Sequence, residues 1–144
     1  MVLLDVPDGS YWTSWLAYID AELVAAGLIS AQDHELFLVT DDVEVAAAEI
    51  ERFWRSYHSI RWVGDRLVMR LRHRPTDEEL AQLNEDFGDL LTGGAIERSE
   101  PLPPEVSDQD NLELARLVMR YDARKAGRLR ALIDAVNDLP SARA

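Results

Sequence analysis

The sequence predicts an α/β protein in which two parallel β-α units precede a small α+β subdomain. Two short apolar runs, at residues 2–6 and 36–40, each come before a segment with apolar residues at helical spacing. Such runs are typical of strands that are buried on both faces, and strands that alternate with helices pair in parallel through right-handed crossovers. After Gly64 the pentapeptide RLVMR occurs twice, at 66–70 and 116–120, each time before a helical segment. This spacing indicates an internal repeat.

The first part of the chain has clear helix signals. Ser10 is a favourable N-cap for a helix over residues 11–26, and Gly27 supplies its C-terminal stop. Thr40 or Asp41 caps a second helix. These segments carry more aromatic surface than so few elements can cover, which favours an oligomer. The aromatic residues concerned are Trp12, Trp15, Phe53, Trp54, Tyr57 and Trp62.

The second part, residues 64–144, follows the order β-α-β and then β-α. The two RLVMR copies and residues 95–99 supply strands, and helices begin near Thr76 and Lys125. This order is most of a ferredoxin-like split βαβ arrangement (βαβ-βα) that lacks its last strand. The fourth strand could come from residues 59–63 or from another chain, or the sheet could have only three strands.

Two segments of the second part are rich in charge. Residues 101–111, PLPPEVSDQDN, combine prolines with acidic residues, so we predict a surface loop or a linker. Along the first RLVMR copy and beyond it, arginines alternate with apolar residues, which predicts a strand with one solvent-exposed face. This basic strip could attract an anionic ligand, or it could pair with the chain's own excess of acidic side chains. Its arginines are Arg66, Arg70, Arg72 and Arg74.

The composition excludes several classes of function. The 144 residues include 15 basic and 27 acidic side chains, a net charge of −12, which opposes binding to nucleic acid. The absence of cysteine excludes disulfides and thiolate chemistry, and the three histidines have no metal-binding spacing. We therefore expect no metal and no cofactor. Because the sequence has neither a signal-like segment nor an apolar run of about 18 residues, we expect a cytoplasmic protein that does not bind membranes.

The loop after the first apolar run carries the best candidate binding residues, Asp8, Gly9, Ser10 and Tyr11. Ligands of open α/β sheets bind outside the carboxyl ends of the strands, and free N–H groups at a helix N-terminus favour anions. A phosphate or a sugar hydroxyl could therefore bind here. A Pro-Asp-Gly turn followed by a capped helix would explain the same residues without any ligand.

Four segments occur in the following order along the chain: VLLDVPDGSYW, LAYIDAELVAAGLIS, ELFLVTDDVEVAAAEI and FWRSYHSIRWVGDRLVMRL. Together they resemble the second half of the Lonely Guy (LOG) family, Rossmann-like nucleoside 5′-monophosphate phosphoribohydrolases often labelled possible lysine decarboxylases. The resemblance covers roughly residues 2–72 and is to the longer bacterial members. It implies that residues 1–63 are the C-terminal part of a Rossmann-like domain and that residues 8–11 border its nucleotide site. His58, in a YHS triplet of the longer members, could contact a ligand or a partner subunit, or bond to helix-terminal carbonyls.

The family's catalytic motif, PGGxGTxxE, does not occur in these residues. The resemblance therefore implies a segment that is not catalytic alone, and that completes the fold, the rim of the substrate crevice and the dimer surface of a phosphoribohydrolase. The expected partner is a second copy of the chain or a missing N-terminal half, in which case Met1 is an internal methionine of a longer enzyme. The expected ligand is a nucleotide or another small anionic metabolite.

Two other functions fit the sequence. The first is a stand-alone regulatory module that dimerises or binds a small metabolite through residues 66–139. The second is an independent enzyme whose acidic first half brings carboxylates together in a cleft. Its candidate residues are Asp5, Asp8, Asp41 and Asp42, although aspartates at the start of a helix are sufficiently explained by capping.

Overall fold

The structure is a computed structural model that describes residues 1–143, including every side chain except that of Gln32. It is a mixed α/β protein with two sheets, as the sequence predicts at this level. The strands are β1 (Val2–Leu4), β2 (Leu38–Thr40), β3 (Tyr57–Val63), β4 (Arg66–Leu71), β5 (Leu91–Arg98) and β6 (Ala115–Tyr121). The α-helices are α1 (Tyr11–Tyr18), α2 (Val43–Phe53), α3 (Asp77–Phe87), α4 (Pro103–Asp108) and α5 (Ala126–Asp138).

β1 and β2 form a two-stranded parallel sheet, with Leu3 opposite Val39. Between them, α1 continues as a π-helix over Ile19–Val24, and Gly27 follows at a φ of +69°, which ends the helical segment as predicted. The prediction that the first strand is buried on both faces is wrong, because only Leu3 is buried and the Leu4 residue is 43% exposed. α2 packs beside this sheet, and the other elements described in residues 1–143 leave the face with Leu4 open.

The N-cap of α2 is Asp42 rather than the predicted Thr40 or Asp41. The Asp42 carboxylate accepts hydrogen bonds from the backbone N–H groups of Glu44 at 2.8 Å and Val45 at 3.3 Å. The Thr40 hydroxyl instead accepts from the Asp42 N–H, one step earlier in the chain. The cap moves because β2 extends as far as Thr40, so the chain needs two more residues before it can turn into the helix.

β3, β4, β6 and β5 form a four-stranded antiparallel sheet in that order. β3, which includes residues 59–63, is thus the fourth strand. This is one of the three possibilities that the sequence left open. The two RLVMR copies are the central strands and pair with each other, with Val68 opposite Val118 and Arg70 opposite Arg116. One face of this ladder packs against α3 and α5 to form the main core, which includes Leu67, Met69, Leu117, Leu83, Phe87, Leu132 and Val136.

The opposite face of the sheet is covered by the segment that contains α4. Two predictions are corrected here: residues 101–111 are not loop throughout, because Pro103–Asp108 form α4, and the arginine face of β4 is not solvent-exposed at Arg70, which is 3% exposed. Proline at the first turn of a helix costs no hydrogen bond, so a Pro-Pro pair that resembles a linker begins α4 instead. Glu105 in α4 is fully buried against Arg70, and Leu102 packs on Val68 and Val118.

Asn137 of α5 connects the first part of the chain to the second. Its Oδ1 accepts from the backbone N–H groups of Ser56 and Tyr57, both at 2.8 Å, and its Nδ2 donates to the Phe53 carbonyl at 2.7 Å. The side chain is fully buried, so these three bonds fix the turn between α2 and β3. Within residues 1–143, no helix has the length and apolar character needed to cross a membrane.

Candidate functional site

A cavity of about 280 Å³ lies at the end of the four-stranded sheet where β4 and β5 finish and β6 begins. β4 and β5 are both antiparallel to β6, so their carboxyl ends meet at this edge. Four arginines line the cavity in a chain whose net charge is −12, and they are Arg72, Arg74, Arg98 and Arg116.

Arg72 is held at the cavity by backbone groups. Its own N–H donates to the Ser56 carbonyl at 2.7 Å. Its guanidinium donates to the carbonyls of Trp54 at 3.0 Å and Tyr57 at 2.9 Å. Carbonyl acceptors orient a guanidinium group but do not cancel its charge, so Arg72 contributes a full positive charge at a fixed position.

Arg98 and Arg116 have carboxylate partners of their own. Arg98 forms an ion pair with Asp77 and donates to the Pro75 carbonyl at 3.2 Å, which fixes the loop that follows β4. Arg116 is buried and pairs with Glu105 at 3.2 Å. It also donates to four backbone carbonyls of the segment before β6, those of Asp110, Asn111, Leu112 and Leu114. These two arginines shape the cavity and leave little charge for a ligand.

Arg74 is exposed and forms no hydrogen bond or ion pair with any residue between 1 and 143. Arg72 and Arg74 are therefore the two guanidinium groups of the cavity whose charge is not cancelled by a carboxylate. Two acidic residues, Glu100 and Glu113, lie in the same lining, are also exposed, and pair with none of the described basic residues. The cavity thus has unpaired groups of both signs.

Beneath the cavity, a buried charge network holds the α4 segment on the sheet. Glu105 accepts from Arg70 Nε at 2.9 Å, Arg70 Nη2 at 2.8 Å and the Leu102 N–H at 3.1 Å, besides its contact with Arg116. Burial alone would raise the pKa of the Glu105 carboxyl. The Leu102 N–H and the two guanidinium groups outweigh it and hold that pKa below its ordinary value. Arg70 also pairs with Asp110 at 2.5 Å.

The cavity lining includes one hydroxyl side chain, that of Ser99. It donates to the Glu100 carbonyl at 2.7 Å, and no hydrogen bond joins it to a carboxylate or a histidine of residues 1–143. A nucleophile needs such a base within hydrogen-bond reach. In the part of the chain that the structure describes, no group of three or more His, Asp or Glu side chains is arranged to hold a metal ion.

The predicted binding loop, Asp8 to Tyr11, lies beside the two-stranded sheet. Asp8 has a φ of +60°, and its N–H donates to Asp41 Oδ2 at 2.9 Å. The Asp5 carboxylate accepts from the N–H groups of Val6 at 2.9 Å and Trp12 at 3.3 Å. An aspartate of the chain itself therefore occupies the position next to the start of α1 where an anion was expected. Ser10 is the residue before α1 but makes no side-chain cap.

His58 lies apart from this loop, in a bulge of β3. Its Nδ1 is 2.9 Å from Ser59 Oγ, which accepts from Arg70 at 3.3 Å. The structure thus connects His58 to the buried charge network, and no hydrogen bond or ion pair among residues 1–143 joins it to residues 8–11. Asp5, Asp41 and Asp42 each accept backbone N–H groups, which is a structural role and offers no support for acid–base chemistry.

Sequence reasoning identified part of the arginine cavity. The basic strip included Arg72 and Arg74, and one of its two suggested roles occurs, since Arg70 pairs with the chain's own acid. Arg98, Glu100 and Glu113 were missed, because only the antiparallel pairing of β5 with β6 brings them beside Arg72. Comparison of the chain with family models, curated proteins and solved structures finds no match.

Proposed function

We propose that the chain is a non-catalytic module that binds a small anionic metabolite at Arg72 and Arg74. One observation carries this proposal: Arg72 and Arg74 line the same cavity, at the carboxyl ends of β4 and β5, and neither guanidinium group has a carboxylate partner among residues 1–143. Guanidinium groups favour carboxylate and phosphate oxygens through charge-assisted hydrogen bonds. Arg98 supports the site by fixing Pro75, next to Arg74.

Removal of one charge tests this proposal. Inorganic phosphate, succinate and AMP are titrated against the protein, and the shift in thermal midpoint is measured. A ligand at one hundred times its Kd stabilises the folded state by about 2.7 kcal/mol. We expect at least one anion to raise the midpoint, and Arg74→Gln to abolish the rise. Arg66→Gln is the matched control, since Arg66 is also exposed and has no ion pair with residues 1–143, but lies at the other end of β4. Equal losses in both variants, or no effect of any anion, would refute the proposal.

A relationship to the LOG family is our second proposal, and the parallel pair of β1 and β2 favours it. A parallel pair joined through helical segments is what two β-α units of a Rossmann-like sheet form. The sheet order β3-β4-β6-β5, with α3 and α5 on one face, supports a ferredoxin-like arrangement in which β3 takes the place of the C-terminal strand. In this proposal the chain completes the fold, the crevice rim and the dimer surface of a phosphoribohydrolase.

Release of free base from AMP tests the second proposal. Because the PGGxGTxxE motif is absent from these residues, we expect no turnover by this chain alone. Exposed aromatic side chains at Trp54 and Trp62 support association with a second copy or with an N-terminal half. Light scattering that shows a monomer at every concentration would count against a dimer surface, and robust hydrolysis of AMP would overturn the non-catalytic role.

A further inference from the structure

We infer that the cavity takes a zwitterion, an α-amino acid with an apolar side chain. This inference rests on the proposed function and refines its ligand: the carboxylate of the amino acid is the anionic group that Arg72 and Arg74 bind, and an ammonium group is added to it. The argument starts from the charges around the cavity. Arg98 and Arg116 are each paired with a carboxylate, Asp77 and Glu105 respectively. The charges without a partner in residues 1–143 are positive on Arg72 and Arg74, and negative on Glu100 and Glu113.

A purely anionic ligand would meet both signs of charge in this cavity. Its contact with Arg72 and Arg74 is favourable, but Glu100 and Glu113 repel it, and like charges at a binding surface reduce affinity. A ligand with an ammonium group as well as a carboxylate turns that repulsion into attraction. An α-amino acid carries both groups on one carbon atom, which matches a cavity whose unpaired positive and negative groups share one lining.

The remaining walls indicate the side chain of the ligand. Four residues that can contact carbon atoms line the cavity, and they are Pro101, Leu112, Leu114 and Ala115. The volume of about 280 Å³ lies just below the range for small-molecule sites, which begins at about 300 Å³. A single amino acid suits this size better than a nucleotide does. The apolar walls favour amino acids such as valine, leucine, methionine and phenylalanine.

Calorimetric titration with matched ligands tests the inference. Alanine, valine, leucine, methionine and phenylalanine are titrated first. The tightest is then compared with the same molecule without its amino group and with the same molecule without its carboxyl group. We expect the amino acid to bind about tenfold more tightly than either analogue, since a charge-assisted hydrogen bond contributes about 1.5–3 kcal/mol and 1.4 kcal/mol is a factor of ten.

Three variants of cavity residues and two control variants assign the charges. Arg74→Gln should weaken both the amino acid and its deaminated acid by about tenfold. Glu113→Gln and Glu100→Gln should weaken the amino acid but not the deaminated acid, which lacks the ammonium group. Arg66→Gln and Glu51→Gln are the controls, because both residues are exposed, unpaired within residues 1–143 and outside the cavity lining. The controls should leave all affinities unchanged.

The outcomes separate this inference from the proposed function. If the deaminated acid binds as tightly as the amino acid, or if only phosphate, succinate or AMP binds, the cavity takes anions and the zwitterion is wrong. If neither amino acids nor anions bind, both proposals are wrong. If an amino acid binds but Glu100→Gln and Glu113→Gln leave its affinity unchanged, the assignment of the ammonium group to these carboxylates is overturned.

Discussion

Glu105→Gln tests whether the buried charge network holds α4 on the sheet. Glu105 is fully buried and accepts hydrogen bonds from Arg70, Arg116 and the Leu102 N–H. Arginine does not lose its proton in proteins, so the substitution leaves two buried guanidinium groups with less negative charge beside them. Removal of one member of a buried ion pair costs about 3–5 kcal/mol. The total free energy of unfolding of a domain of this size is about 5–15 kcal/mol, so the substitution should remove a large part of it.

Urea denaturation followed by tryptophan fluorescence and circular dichroism measures this loss. Glu113→Gln is the matched control: it makes the same chemical change at an exposed, unpaired position, and should alter the free energy of unfolding by no more than about 0.5 kcal/mol. A loss below about 1 kcal/mol for Glu105→Gln would refute the reasoning, because it would mean that the guanidinium groups find other partners or water at no cost.

The pH dependence of stability gives an independent measure of the same group. The pKa of the Glu105 carboxyl is lower in the folded state than its ordinary value of 4.5. The resulting stabilisation is therefore complete well above pH 4.5 and is lost as the pH falls through the folded-state pKa. The difference in unfolding free energy between the wild type and Glu105→Gln should shrink as the solution is acidified below pH 4.5. A difference that stays constant down to pH 3 would contradict this account of the group.

Three further substitutions test other parts of the fold by urea denaturation. Asn137→Ala leaves the buried N–H groups of Ser56 and Tyr57 without an acceptor, at about 1–3 kcal/mol each; a loss below 1 kcal/mol would show that this bridge is dispensable. Asp42→Ala removes the N-cap of α2 and should cost about 1 kcal/mol, and an unchanged stability would argue against the cap. Gly9→Ala places a Cβ atom 2.7 Å from the Val6 carbonyl oxygen and against the Asp5 carboxylate, so the loop must shift; wild-type stability would contradict this crowding.

Local signals predicted most of the elements of the second part. Thr76 begins α3 because its hydroxyl and the Glu79 carboxylate form a capping box, a pattern visible in the sequence. The strands of the two RLVMR copies follow from their apolar residues. By contrast, the sequence did not predict α4, because its stabilisation comes from Arg70 and Arg116. These arginines are 35 and 11 residues from Glu105 in the sequence, and they come close to it in space only when the sheet forms.

The candidate site was less predictable than the fold. The alternation of arginines with apolar residues indicated Arg72 and Arg74, but nothing local distinguishes Arg74, which has no partner among residues 1–143, from Arg70, which is buried and paired. The difference arises because Arg70 lies within β4 and bonds to Glu105 of α4, whereas Arg74 lies beyond the end of the strand. The loop of Asp8 to Tyr11 looked like an anion site because the sequence does not reveal that Asp5 accepts the Trp12 N–H.

The pairing of the two RLVMR copies has a consequence for folding. Because both strands have the same sequence and run antiparallel with Val68 opposite Val118, the ladder is unchanged when it is turned end for end. The same five residues can also pair in the same way with the matching strand of another molecule. Refolding at high protein concentration should therefore produce domain-swapped dimers. Glu105 breaks this equivalence, since a single carboxylate on α4 binds the arginines at one end of the ladder only. The Glu105 side chain thus makes the two ends of the ladder different, although the paired sequences alone are the same at both ends.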